Sequence, residues 1–235
     1  MSRPFVVRAF ARRGAAFTLT DLLVVLAVVS VLAAVVVPVV AKTRATARLE
    51  LCKANLQQVG RATLLYAEDH NKTLPAPANA KAIGVWFGYK DMVKGFVGPK
   101  GAPAADNKVF ACPSDRGYGE GLKPVPFREN PKFNHSSYVF NGVHLPGLPH
   151  IAGRELGTIK DPARTLLVME WTAHAPLSWH RSKTGRENSP FYNDAESVVA
   201  FVDGRVALTK IYYDGFNAAF TRDPVPGYDY KYSGD

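Results

Sequence analysis

Few residue groupings in this 235-residue chain have the spacing that chemistry needs. Glu170, His174 and His180 offer a carboxyl and two imidazoles close together in the chain. Their spacing matches no established metal motif, and Pro176 opposes a helix that would gather them. Ser114 and Ser136 are hydroxyl nucleophile candidates without a His/Asp partner set. Asp203 stands in an Asp203-Gly204 pair, where an aspartate that orders its own turn is the simpler reading. Asp214, Asp223, Asp229 and Asp235 crowd the C-terminal end without EF-hand spacing, so calcium is not expected. Trp86, Trp171, Trp179, Tyr212 and Tyr213 have the chemistry of a ligand platform, but such residues more often fill cores. The expectation is a non-enzymatic chain with no assigned catalytic, cofactor or metal residue.

Asp21 and the two cysteines carry more weight. Asp21 abuts Leu22–Ala41 (LLVVLAVVSVLAAVVVPVVA), 20 residues without a charge. As a helix this stretch spans about 30 Å, the hydrocarbon thickness of a bilayer. A carboxyl at its edge needs a partner. Cys52 and Cys112 both follow the apolar stretch, so they lie on one side of any membrane it crosses. On an oxidising side they can pair; two free buried thiols are the alternative. No Cys-x-x-Cys spacing points to redox or zinc chemistry.

The elements that position these residues follow from periodicity. The apolar run exceeds the roughly 7–15 residues of a signal-peptide core and lacks an A-x-A site. Beyond it, Leu49, Cys52, Leu56, Val59, Thr63 and Tyr66 alternate spacings of three and four along one helical face. One helix is expected from about Leu19 to Asp69, apolar all round at first and amphipathic later. Pro38 removes a backbone hydrogen bond inside it and is expected to kink it. Asn71, Pro75 and Pro77 end it. Strands are expected at Ala82–Phe87, Ser137–Phe140, Thr165–Glu170, Ser197–Val202 and Arg205–Ile211, the last two joined by a two-residue Asp203-Gly204 hairpin. Residues 94–136 and 173–195 read as long loops. The predicted fold class is α+β: a long N-terminal helix, transmembrane and then amphipathic, packed on a mainly antiparallel β-sheet head.

The net charge is +9. Arg3, Arg8, Arg12 and Arg13 precede the apolar run; without them Lys+Arg falls from 29 to 25 against 20 acidic residues, leaving +5. That surplus argues for a solvated surface and against a nucleic-acid partner. Lys42, Arg44, Arg48 and Lys53 follow the span, so counting positive charges does not orient it.

The segment Gly14-Ala15-Ala16-Phe17-Thr18-Leu19-Thr20-Asp21-Leu22-Leu23 resembles the processing motif of the type IV pilin and type II secretion pseudopilin family. The string Cys52-Lys53-Ala54-Asn55-Leu56-Gln57-Gln58-Val59-Gly60, followed by Tyr66, Asp69 and Leu74-Pro75, resembles a pilin-like group abundant in Planctomycetes and Verrucomicrobia. Phe110-Ala111-Cys112-Pro113-Ser114-Asp115, Ser137-Tyr138 with Asn141-Gly142, and Phe201–Val206 extend that similarity. The resemblance implies a basic leader (1–16), a membrane or filament-core helix (17–41), its amphipathic continuation (42–70) and a β-rich head (71–235). It implies cleavage between Ala16 and Phe17 by a prepilin peptidase, with cleavage after Gly14 as the other reading. It further implies N-methylation of Phe17 and pairing of Asp21 with the Phe17 amine of another subunit. Ala16 stands where the family usually has Gly, and Asp21 is one methylene shorter than the usual Glu. Around Asp203-Gly204 the group often has two histidines; here those positions hold Asn193 and Arg205. The implied partners are the peptidase, other subunits and an inner-membrane assembly platform. The implied location is a single-pass inner-membrane anchor with its head in the periplasm or outside the cell, within or apart from a filament. The alternative function is a minor, pilin-like surface binder acting in adhesion or DNA uptake.

Overall fold

The structure, a computed structural model, describes residues 18–77, 84–98, 107–117, 125–142, 147–173, 177–180, 194–212 and 223–235. Ala16, Phe17, His174, Asn193, Tyr213 and Asp214 lie outside them. The chain divides into two compact units, one ending at Arg44 and the other running from Ala45 to Asp235.

Helix α1 runs from Leu19 to Asp69, the bounds its periodicity predicts, with Pro38 inside it. In the first unit no side chain of α1 finds a core. From Leu22 to Val39 every leucine and valine is at least 50 % exposed. The helix is long and apolar enough to cross a membrane. Ser30 and Thr43 return their hydroxyls to the Leu26 and Val39 carbonyls at 2.7 and 2.9 Å. Such back-bonding removes the polar cost of a hydroxyl in an apolar setting.

In the second unit the helix is amphipathic in fact as well as in pattern. Cys52, Leu56, Val59, Gly60, Ala62, Thr63 and Ala67 are buried. They pack into one core with a sheet that, among the described residues, has four antiparallel strands in the order β1 (Tyr138–Phe140), β2 (Leu166–Glu170), β3 (Ala195–Phe201) and β4 (Val206–Ile211). Gly60 permits a close approach of helix to sheet, since a Cβ there would stand 3.2 Å from Ala200 Cβ. Tyr138 ties the two layers together by donating its hydroxyl to the Cys52 carbonyl at 3.2 Å. The central strands β2 and β3 are buried on both faces, which explains their near-continuous apolar runs.

Two sequence expectations need correction. The strand expected at Ala82–Phe87 is replaced over its described part: residues 84–87 form a one-turn helix, α2 (Gly84–Phe87), followed by α3 (Tyr89–Val93), while Ala82 and Ile83 lie outside the described residues. A short apolar run between glycines cannot distinguish strand from helix. Tertiary packing decided it, because Trp86 and Phe87 meet Trp171 with ring centroids 5.5 and 5.4 Å apart. The Asp203-Gly204 hairpin joins β3 and β4, but through a longer turn. Gly204 N–H donates to the Phe201 carbonyl at 3.0 Å, and Gly204 itself takes φ +89°. This is the turn-plus-left-handed-residue connection rather than a two-residue loop. Asp203 Oδ1 accepts from Arg205 N–H at 2.9 Å, the turn-ordering role expected of it.

Candidate functional site

Two places concentrate the sequence-predicted residues: the start of α1 and the seam between α1 and the head. At the start of α1, Thr18 and Asp21 cap each other. The Thr18 N–H and hydroxyl donate to Asp21 Oδ2 at 3.0 and 2.8 Å, and Asp21 N–H donates to Thr18 Oγ1 at 3.2 Å. This is a capping box, in which two orphan donors of the first turn are satisfied reciprocally. The Thr-x-x-Asp spacing was legible in the sequence and names Thr18 as a partner of Asp21.

At the seam, Cys52 and Cys112 are disulfide-bonded, with Cα atoms 4.8 Å apart. Cys52 comes from α1 and Cys112 from the 107–117 segment. The second cross-link of the same pair of segments is a hydrogen bond, Asn55 Nδ2 to the Ala111 carbonyl at 3.0 Å. Asp115 is buried and anchors the segment. Its carboxyl accepts from Gly117 N–H, Arg128 N–H and the Ser137 hydroxyl at 2.8, 2.9 and 2.7 Å. Burial pushes the Asp115 carboxyl above the ordinary carboxylate range, against the pull of those donors. Ser137 in turn accepts from Cys112 N–H at 3.0 Å. Asn141 donates to the Leu166 and Tyr232 carbonyls at 2.7 and 2.8 Å. The scattered Cys/Asn, Cys-Pro-Ser-Asp and Ser-Tyr strings thus meet at one joint. Nothing in their sequence spacing shows that.

Beside the disulfide lies a pair that sequence reasoning only half identified. Glu170 ends β2 and is fully buried; the His180 side chain is 3 % exposed. His180 Nε2 lies 2.8 Å from Glu170 Oε1 and 4.0 Å from Cys112 Sγ. Glu170 Oε2 accepts from Val198 N–H at 2.8 Å, so the carboxyl completes the edge of the β2–β3 ladder. His180 is positioned by its neighbour Trp179, whose ring N–H and carbonyl bond Gly117 and Arg116 at 2.9 and 3.0 Å. One ligand atom from each of Cys52, Cys112, Glu170 and His180 falls within a 4.8 Å cluster.

The remaining candidates are dispersed into structural roles. Ser136 closes a local turn on Tyr138. Asp223 accepts from Tyr232 and Ser233 N–H at 2.7 and 2.8 Å, Asp229 pairs with Arg164 and Asp235 with Arg154. These three aspartates do not converge. Trp171 and Trp179 are buried and Trp86 packs on Trp171, so the tryptophans belong to an aromatic core; Tyr212 packs on Tyr228.

Lys90 is a buried cation, 3 % exposed, whose Nζ donates to the Asn134 and His135 carbonyls and lies 5.0 Å from the Phe110 ring centroid. Burial pulls its pKa down to about 8. Its folded value thus lies below the unfolded one, so between the two the unfolded chain holds more protons. Stability should therefore rise as pH increases from about 8 towards about 10. Denaturant titrations across that range should show the rise in the wild-type chain and a flatter profile in Lys90→Met.

Comparison with protein-family models, with curated proteins and with solved structures gives no match for this chain.

Proposed function

We propose that the chain is a pilin or pseudopilin, a structural subunit of a type IV pilus or type II secretion-like filament. The observation that carries this reading is one helix with two characters. Its first half exposes every large apolar side chain, and its second half is built into the core of a β-sheet head. A helix of the first kind is stable in a bilayer or among copies of itself, because only there do its apolar faces leave water.

In this reading the prepilin peptidase cleaves between Ala16 and Phe17 at the cytoplasmic face, and the head resides in the periplasm or outside the cell. The new Phe17 amine, once methylated, pairs with Asp21 of a neighbouring subunit. Burying either charge alone would cost about several kcal/mol, so the pair selects axial register. Asp21 must then trade its bonds to Thr18 for the neighbour's amine. The head has no catalytic duty in this reading, and the assembly platform of the inner membrane is its other partner.

Co-expression with a prepilin peptidase tests the proposal. Mass spectrometry of the purified chain should show loss of residues 1–16. An intact N-terminus, or cleavage after Ala41, would sink it. Asp21→Ala should leave cleavage unchanged and abolish crosslinking between copies.

A further inference from the structure

The cluster of Cys52, Cys112, Glu170 and His180 holds more ligand chemistry than a disulfide uses. Its residues come from α1, the 107–117 segment, the end of β2 and the 177–180 segment. Two sulfurs, an imidazole nitrogen and a carboxyl oxygen are each donor types that Zn2+ takes, and four of them suit its tetrahedral coordination. In the oxidised chain the sulfurs are bonded to each other and neither is a thiolate. On reduction two thiols move apart to non-bonded contact at roughly 3.7 Å, which is also the sulfur–sulfur edge of a tetrahedron with Zn–S of about 2.3 Å. The nitrogen–oxygen edge is nearly in place, with His180 Nε2 and Glu170 Oε1 2.8 Å apart. Val198 N–H holds the other carboxyl oxygen and so aims Oε1 at the cluster, the orienting contact metal ligands characteristically have.

We propose that, with the disulfide open, Cys52, Cys112, His180 and Glu170 form a tetrahedral Zn2+ site, so that disulfide and zinc are mutually exclusive ways of closing the joint between α1 and the head. A dithiol reductant supplies two electrons and two protons to the disulfide and becomes a disulfide itself. Zn2+ then displaces the two thiol protons to solvent and binds two thiolates. Oxidation runs the other way: a disulfide oxidant takes two electrons from the thiolates and two protons from solvent to become a dithiol, the sulfur–sulfur bond reforms and the ion is released.

The test uses the full chain in detergent, reduced by a water-soluble phosphine without oxygen and titrated with Co2+ as a spectroscopic stand-in for zinc. The reduced chain should take up one Co2+, with thiolate charge-transfer bands and the intense visible bands of tetrahedral cobalt, and Zn2+ should bleach them. The oxidised chain should show neither. His180→Ala and Glu170→Gln should each weaken Co2+ binding by more than about tenfold. If the reduced chain loses its fold, zinc should restore its circular dichroism. Three results would each overturn the proposal: a folded reduced chain without cobalt bands, a chain still unfolded at zinc saturation, or binding untouched by both substitutions.

Discussion

Cys52→Ala together with Cys112→Ala should destabilise the head by about 4 kcal/mol, from the chain entropy released when a closed loop of this length opens. The two cysteines are 60 positions apart, and the loop between them includes the end of α1, α2 and α3. Among the described residues, few other covalent or polar ties span that distance. Asn55 to Ala111 is one, and a single neutral hydrogen bond contributes about 1 kcal/mol. Both sulfurs sit in the core, so the alanine pair also leaves space beside Glu170 and His180. For a domain of this size the melting temperature should fall by about 8–16 °C. Calorimetry of oxidised and double-alanine chains measures it. A loss below about 1 kcal/mol would mean that the unfolded chain is already held compact without the bond.

His180→Leu should cost about 3–5 kcal/mol, because it leaves one oxygen of a fully buried carboxyl without its partner. Glu170→Leu should cost a similar amount by a different route: it strands both the His180 ring and the Val198 N–H, a backbone donor buried between strands. Glu170→Gln keeps an acceptor for Val198 and should be the mildest, at about 1 kcal/mol. The combined His180→Leu, Glu170→Leu chain should lose less than the sum of the singles, since each single already breaks the shared contact. Denaturant midpoints for the four variants give the coupling. Strict additivity would show that the two side chains are neighbours without being partners. Glu170→Gln also separates folding from metal binding: it should leave the chain folded, yet lower Co2+ affinity of the reduced chain.

Much of the architecture is local, and local patterns were readable. The bounds of α1 follow from an uncharged run, a three-four alternation and the breakers after Asp69. Four of the expected strands are present with ends shifted by one or two residues, because β-branched runs between turn residues have few other ways to bury themselves. Ala82–Phe87 failed because its apolar residues are too few to show a period. The joint at Cys52 and Cys112 was half readable. Pairing was one of two open readings, and no spacing tied Asn55 to Ala111 or Ser137 to Asp115. The sequence brings Glu170 and His180 together, with His174, only as a ligand set of unsupported spacing, and nothing in it places them beside the cysteines.

The division has a physical cause. Helix type, membrane-length apolarity and the Thr18–Asp21 cap depend on residues within a few positions of each other, so the amino-acid order alone determined them. Which faces meet is a property of the whole packed chain. Burying the Cys52–Leu56–Val59 face of α1 against β3 and β1 brought positions 52, 112, 170 and 180 into one dry cluster. Only the tertiary structure could decide that, because the contacts that stabilise the cluster lie far apart along the chain and exist only once the helix and sheet have docked.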